Sequence, residues 1–150
     1  MLVALLIERE QTLATAESCT GGLLANRITN VPSSSRVFLA GSVSYANRAK
    51  IKMLNVDSKL IEQHGAVSEE VARAMAEGAC DRAGSTYALS TTGIAGPDGG
   101  SERKPVGTVY VALAAPDGTK VRKLFFPTDR ETFKQLVAQV AFELLRRELI

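Results

Sequence analysis

The sequence predicts an α/β fold: a single layered domain in which helices flank a mixed β-sheet, with a C-terminal β-hairpin and a long final helix. Helical and strand-like segments alternate along the chain, as they do in layered domains that contain parallel strands. Two apolar segments on either side of a Pro-Asp-Gly turn indicate the hairpin, and an apolar stripe of helical period indicates the final helix. The length of 150 residues matches one domain, residues 1–150.

Composition narrows the class of protein. Hydrophobic residues make up 45% of the chain and charged residues 23%, the balance of a globular protein with a buried core. The net charge is only +2 and the cations are scattered, so we expect no nucleic-acid partner. The opening apolar run, residues 1–7, is too short to span a membrane and has no basic leader. Cys19 and Cys80 lack metal-ligand spacing, which favours a reducing, cytoplasmic compartment without a metal site.

The first half of the chain alternates predicted helices and strands. Helices are expected at residues 1–7 and 23–28, strands at residues 12–16 and 37–46, and a polar segment at residues 45–52. Pro32 and the serines that follow it end the second helix. A glycine-containing turn therefore lies between the first strand and the helix after it.

The second half has clearer signals. Ser68 is a good N-cap with acidic residues directly after it, and Gly84 is expected to end that helix. A strand is expected at residues 86–91, hairpin strands at residues 106–114 and 121–126, and a helix after them. Thr128 and Glu131 match a capping box at the start of the final helix.

Ser18 is the first candidate for chemistry, because it stands at the predicted strand-to-helix junction. Free backbone N–H groups at such a junction can face a developing oxyanion, and Gly21 and Gly22 allow a ligand to approach closely. The alternative is an ordinary N-cap followed by a turn of small residues, which the spacing alone does not exclude.

A serine nucleophile needs a base, and the sequence offers few. His64 is the only histidine and is expected at the surface or at a helix end. A lysine with a lowered pKa can serve instead, and Tyr45 and Lys50 are placed where a pocket wall is plausible. The alternative is that Lys50 belongs to a solvated helix face together with its basic neighbours.

Two further features suggest anion binding. Residues 92–100 are rich in glycine and their amides can form a nest for an oxygen atom, although neither a Walker nor a Rossmann fingerprint is present. Arg130 lies in the first turn of the final helix, where a cation is unfavourable unless it serves an anion. With Lys134 it predicts a phosphate clamp; a salt bridge to Asp129 or Glu131 is the alternative.

Five blocks of the sequence, in order, resemble the CinA C-terminal domain family. The blocks are residues 16–22 (AESCTGG), 45–50 (YANRAK), 65–72 (GAVSEEVA), 92–97 (TGIAGP) and 104–110 (KPVGTVY). Several separate blocks in family order are more specific than any single glycine loop. The resemblance covers nearly the whole chain.

The resemblance implies a nicotinamide-nucleotide amidase, which hydrolyses the carboxamide of nicotinamide mononucleotide to the carboxylate and ammonia without a metal or other cofactor. By motif, Ser18 resembles the nucleophile, Lys50 its base and Tyr45 a proton relay or orienting group, while Thr92 resembles the start of the substrate loop. The residues expected to contact this small nucleotide are Thr20, Gly21, Gly22, Gly93, Gly96 and Arg130.

Two rival interpretations remain open at the level of sequence. The same loops could bind a nucleotide or a protein without turning anything over. Alternatively, Cys19 could be the nucleophile, because a thiolate at a helix N-terminus is chemically reasonable. A homodimer or higher homo-oligomer is the expected assembly, since a small enzyme often completes its pocket with a neighbouring subunit.

Overall fold

Five strands form one mixed sheet in the computed structural model of the chain, which describes residues 1–150. The strands are β1 (Leu13–Glu17), β2 (Phe38–Val43), β3 (Tyr87–Gly93), β4 (Thr108–Ala115) and β5 (Gly118–Phe125). Their order across the sheet is β2-β1-β3-β4-β5. The first three strands in that order run parallel, and β4 and β5 add an antiparallel hairpin to β3. The predicted α/β class with a mixed sheet is confirmed.

Six α-helices flank the sheet. They are α1 (Leu2–Glu8), α2 (Leu23–Thr29), α3 (Asn47–Leu54), α4 (Ser58–His64), α5 (Glu69–Ala83) and α6 (Arg130–Glu148), with a short 3-10 helix at Ser34–Arg36. None of them combines the length and the apolar character that crossing a membrane requires.

Each face of the sheet has its own apolar core. On one face, side chains of α1, α2 and α6 pack against the sheet around Leu6, Leu24 and Phe133. On the other face, α3 and α5 pack around Leu54 and Met75. Strand β1, which lies between β2 and β3, is buried along its whole length, because residues that alternate between its two faces meet one core or the other. Its carboxyl end is therefore held rigidly between two helical layers.

The helix caps confirm most of the sequence signals and correct one. The Ser68 hydroxyl accepts the N–H of Val71 at the start of α5, and Gly84 ends that helix in the left-handed conformation. The N-cap of α6 is Asp129 rather than Thr128, because the Asp129 carboxylate accepts the N–H of Thr132 at 2.9 Å. The predicted capping box at Thr128 is therefore wrong by one residue.

The segment between β2 and α5 differs most from expectation. Strand β2 ends at Val43, short of the predicted residue 46, and the expected polar segment folds into α3. Helix α4 was not predicted, because it buries no residue and so carries no apolar stripe. Only Lys50 and Leu54 of α3 are fully buried, which is too few to give a helical period.

A close approach between α3 and α5 fixes where α3 lies. A Cβ atom added to Gly78 of α5 would lie 1.9 Å from the carbonyl oxygen of Leu54, the last residue of α3. Only glycine permits the two backbones to come this close. This crossing sets the position of α3, and with it the position of Lys50.

Candidate active site

The candidate nucleophile Ser18 directly follows β1 and is held by its neighbours in the sheet. Its N–H donates to the carbonyl of Thr91 on β3 at 3.0 Å, and its carbonyl accepts the N–H of Gly21 at 3.1 Å. Gly21 and Gly22 have φ values of 61° and 99°, which side chains rarely adopt. The chain can therefore turn sharply from β1 into α2 and leave Ser18 at the turn.

Glu17 holds this turn from the inside. Its carboxylate is fully buried and accepts the N–H of Leu24 at 2.8 Å, the N–H of Ala25 at 3.0 Å and the hydroxyl of Thr20 at 2.7 Å. The carboxylate thus satisfies the orphan N–H groups at the start of α2, and a negative charge there is favoured by the helix dipole. Glu17 ties the residue next to Ser18 to the following helix.

Lys50 meets Ser18 in the structure. Its Nζ atom lies 3.1 Å from Ser18 Oγ, 3.0 Å from the Ser44 carbonyl oxygen and 2.9 Å from the Tyr45 carbonyl oxygen. The Ser44 N–H in turn donates to the Glu17 carbonyl at 2.9 Å, so the segment that carries both carbonyls is fastened to the end of β1. The end of β1 and helix α3, which are distant along the chain, therefore place the Lys50 amine beside the Ser18 hydroxyl.

The Lys50 amine is buried without a counter-charge. Lys50 is 1% exposed and forms no ion pair with any carboxylate. Removal of water disfavours the charged form, so burial lowers the pKa of Lys50 below its ordinary value of 10.5. The expected alternative, a solvated face shared with Arg48 and Lys52, does not describe Lys50.

Tyr45 and Arg130 form a second cluster with the glycine-rich loop. Arg130 donates one guanidinium N–H to the Gly96 carbonyl at 2.7 Å and another to the Tyr45 hydroxyl at 3.0 Å. Tyr45 contacts Lys50 through its backbone carbonyl, whereas its phenol group points to Arg130. Arg130 forms neither of the salt bridges considered as alternatives.

Other residues that were expected to contact substrate have partners within the protein. Thr92 at the end of β3 donates its hydroxyl to the Ala66 carbonyl at 2.8 Å. Thr20 is fully buried, and its hydroxyl bonds to Glu17 and to the Thr91 hydroxyl. Added Cβ atoms on Gly93 and Gly96 would lie 2.8 and 2.3 Å from the side chains of Val109 and Val106, so packing requires both glycines.

The remaining candidate groups lie apart from the Ser18–Lys50 pair or are poorly reactive. Cys19 is 5% exposed, and burial raises the pKa of its thiol to about 12, which keeps it protonated at neutral pH. His64 is exposed at the end of α4, with Nδ1 3.6 Å from a carboxylate oxygen of Glu70. No group of three or more potential metal ligands is clustered in the molecule.

The sequence did not reveal the role of Glu17, and it indicated Lys134 only as a partner of Arg130 in a phosphate clamp. No local pattern indicates the role of Glu17, because its backbone partners Leu24 and Ala25 lie seven and eight residues further on, beyond the spacing of ordinary helix caps. In the structure the Lys134 Nζ atom approaches the turn after Ser18, where a Cβ on Gly21 would lie 3.5 Å away.

Comparisons with known proteins agree with this architecture. Residues 1–149 match the model of the CinA C-terminal domain. A CinA-like protein of Citrifermentans bemidjiense is 54% identical over 149 residues, which cover 99% of this chain and 36% of that protein. The chain thus spans about 36% of the length of this curated relative.

Solved structures are similar over nearly their whole length. The competence/damage inducible protein CihA from Agrobacterium tumefaciens is 37% identical, with a TM-score of 0.95 over 97% of this chain and 90% of that one. A CinA superfamily protein from Klebsiella pneumoniae is 32% identical, with a TM-score of 0.94 over 99% and 92% of the two chains. The chain belongs to the CinA C-terminal domain family.

Proposed function

We propose that this domain hydrolyses the carboxamide of nicotinamide mononucleotide to nicotinate mononucleotide and ammonia, with Ser18 as the nucleophile and Lys50 as its base. The family resemblance supplies the substrate. The observation that supports the chemistry is the buried Lys50 amine, 3.1 Å from Ser18 Oγ and without a carboxylate partner.

The hydrogen bonds around Lys50 suit a neutral amine. A neutral amine has two N–H groups and one lone pair, whereas an ammonium group has three N–H groups and no acceptor. The carbonyls of Ser44 and Tyr45 can take both N–H groups. The lone pair is then left for the Ser18 hydroxyl, which is the arrangement a general base needs.

The reaction follows from that arrangement. Lys50 removes the proton of Ser18 as its oxygen attacks the amide carbon, and the tetrahedral intermediate collapses to an acyl-enzyme when the protonated Lys50 gives its proton to the leaving ammonia. Water then attacks the acyl-enzyme with Lys50 again as base, which releases the carboxylate. The cluster of Tyr45, Arg130 and Gly96 borders the same site and would orient the substrate rather than carry the proton.

Backbone donors near Ser18 can stabilise the oxyanion. The N–H groups of Thr20 and Gly22 donate to no backbone carbonyl, whereas the N–H groups of Leu24 and Ala25 are taken by Glu17. A preorganised N–H donor that faces the developing charge commonly contributes about 10²–10³-fold to the rate. The turn itself is thus the best candidate for an oxyanion hole.

Ammonia release from purified protein given nicotinamide mononucleotide tests the proposal. We expect turnover in the wild type and a loss of about 10⁴-fold or more in Ser18→Ala, because no nucleophile remains. Cys19→Ala is the matched control and should retain activity, since a thiol with a pKa of about 12 supplies little thiolate. Undiminished turnover in Ser18→Ala would rule out this nucleophile.

The same experiment separates the rival function. Tight binding of the mononucleotide by a folded wild-type protein that releases no ammonia would favour a nucleotide-binding module. Loss of activity in Cys19→Ala together with retained activity in Ser18→Ala would instead favour the thiol.

A further inference from the structure

Lys134 is a cation without a partner beside the nucleophile turn. It lies in the second turn of α6 and is partly buried, yet it forms no hydrogen bond or ion pair, even with Glu131 three residues earlier. Its Nζ atom lies against Gly21, where an added Cβ would be 3.5 Å away. Since Gly21 closes a hydrogen-bonded turn that begins at Ser18, the ammonium group lies close to the nucleophile.

A cleft opens at this point between α2 and α6. Its volume is about 370 Å³, and it is lined by Leu23, Arg130, Glu131, Lys134 and Gln135. Leu23 is the first residue of α2 and comes directly after the glycine turn that follows Ser18, so the cleft begins next to that turn. A ligand that reacts at Ser18 can extend into this space.

Other groups that could bind an anion here are already held by partners within the protein. Arg130 donates two guanidinium N–H groups, one to the Gly96 carbonyl and one to the Tyr45 hydroxyl. The first N–H groups of α2 are capped by Glu17, whose negative charge repels an anion. Lys50 is the proposed base. Neither Arg130 nor Lys134 forms an ion pair, but Lys134 is the one whose N–H donors bond to no protein group.

We propose that Lys134 binds the phosphate group of the substrate in the cleft between α2 and α6, and so makes the site selective for a nucleotide over a nucleoside. This inference rests on the proposed function and sharpens it, because it assigns the phosphate to Lys134 alone, whereas the sequence predicted a clamp of Arg130 and Lys134. In a nicotinamide mononucleotide a ribose separates the amide-bearing ring from the phosphate, so the phosphate must bind a short distance from Ser18. An ammonium group against the Ser18 turn meets that requirement.

The test compares two substrates in three proteins: wild type, Lys134→Gln and Lys59→Gln. Lys59 is an exposed lysine of α4, so its variant controls for the loss of one surface charge. For nicotinamide mononucleotide, kcat/KM should fall about tenfold to a hundredfold in Lys134→Gln, mainly through KM. For nicotinamide riboside, which has no phosphate, it should change less than about twofold. Equal losses with both substrates, or no loss with either, would overturn the proposal.

A binding measurement keeps this inference separate from the proposed function. Isothermal titration of Ser18→Ala and of the double variant Ser18→Ala/Lys134→Gln with the mononucleotide needs no turnover. We expect the double variant to bind the mononucleotide about tenfold to a hundredfold more weakly than Ser18→Ala does, and its affinity should depend less on salt concentration. Equal affinities would refute the phosphate site even if the wild type is an amidase, whereas a difference would support it even if no ammonia is released.

Discussion

Two lysines of this domain show how surroundings change the chemistry of one side chain. Lys50 of α3 is enclosed by protein and faces a hydroxyl and two carbonyls, and burial lowers its pKa. Lys120 of β5 is half-exposed and paired with Glu148 at the end of α6, and the hydrogen bond to that carboxylate raises its pKa. The difference shows that removal of water without a counter-charge favours the neutral amine that a base requires, whereas a neighbouring carboxylate favours the ammonium form.

Of the variants that test this comparison, Lys50→Met is expected to have the largest effect, because it keeps the length of the side chain and removes the amine. We expect kcat/KM for the mononucleotide to fall by about 10²–10⁴, the usual contribution of a general base. The fold should persist, because methionine is flexible, unbranched and close to lysine in length. Ammonia release measured beside a circular dichroism spectrum checks both statements, and a folded variant with full activity would contradict the assignment of the base.

The pH dependence of the reaction sharpens the contrast between the lysines. Because Lys50 must be neutral to act, kcat/KM should rise with pH by about tenfold per unit until the pKa of Lys50 is reached, below 10.5. The protein should also gain stability between that pKa and 10.5, because the unfolded chain binds this proton more tightly than the folded one. A rate profile without this basic limb would argue against a neutral amine.

Gly78→Ala tests whether the α3–α5 crossing positions Lys50. Glycine to alanine inside a helix normally stabilises a protein by about 1 kcal/mol. Here the new Cβ would collide with the Leu54 carbonyl, so we expect a destabilisation of about 1–3 kcal/mol. Activity should fall as well, because α3 carries Lys50. Urea denaturation checks the sign, with Glu77→Ala on the exposed side of α5 as the control; a stabilised Gly78→Ala would show that the crossing can relax freely.

Lys120→Met is the matched control for Lys50→Met, and the smallest effect is expected from it. An exposed ion pair contributes little, because water screens it and two side chains lose freedom. We expect a small decrease in Tm and an unchanged kcat/KM. A loss of activity comparable to that of Lys50→Met would mean that charge removal in general, rather than loss of the base, inactivates the protein.

The parts of the fold that were predicted are those with local signals. The caps at Ser68 and Gly84 and the hairpin of β4 and β5 follow from residues within one or two turns of each other. Helix α4 was not predicted, because none of its side chains is buried and it therefore has no apolar stripe. The N-cap of α6 was predicted one residue too early, because Thr128 and Asp129 are both good N-cap residues. Helix or loop at residues 58–64, and Thr128 or Asp129 as the N-cap, are alternatives that differ little in local free energy.

The candidate site also divides into features with a local sequence signal and features that depend on distant residues. Its residue types were visible in the sequence at Ser18, Lys50 and Arg130, but their partners were not. The expectation that Arg130 serves an anion followed from its place in a helix, whereas its actual partners, Gly96 and Tyr45, are 34 and 85 residues away. Spacing along the chain carries no information about contacts of that kind.

The α/β class, the glycine turn after Ser18 and the chemical groups near it follow from the sequence alone, because they depend on residues that are neighbours along the chain. The burial of Lys50 and the hydrogen bonds of Glu17 to the start of α2 are instead set by the tertiary structure. Both outcomes depend on which elements exclude water from a side chain, and exclusion of water is a property of packing between distant segments.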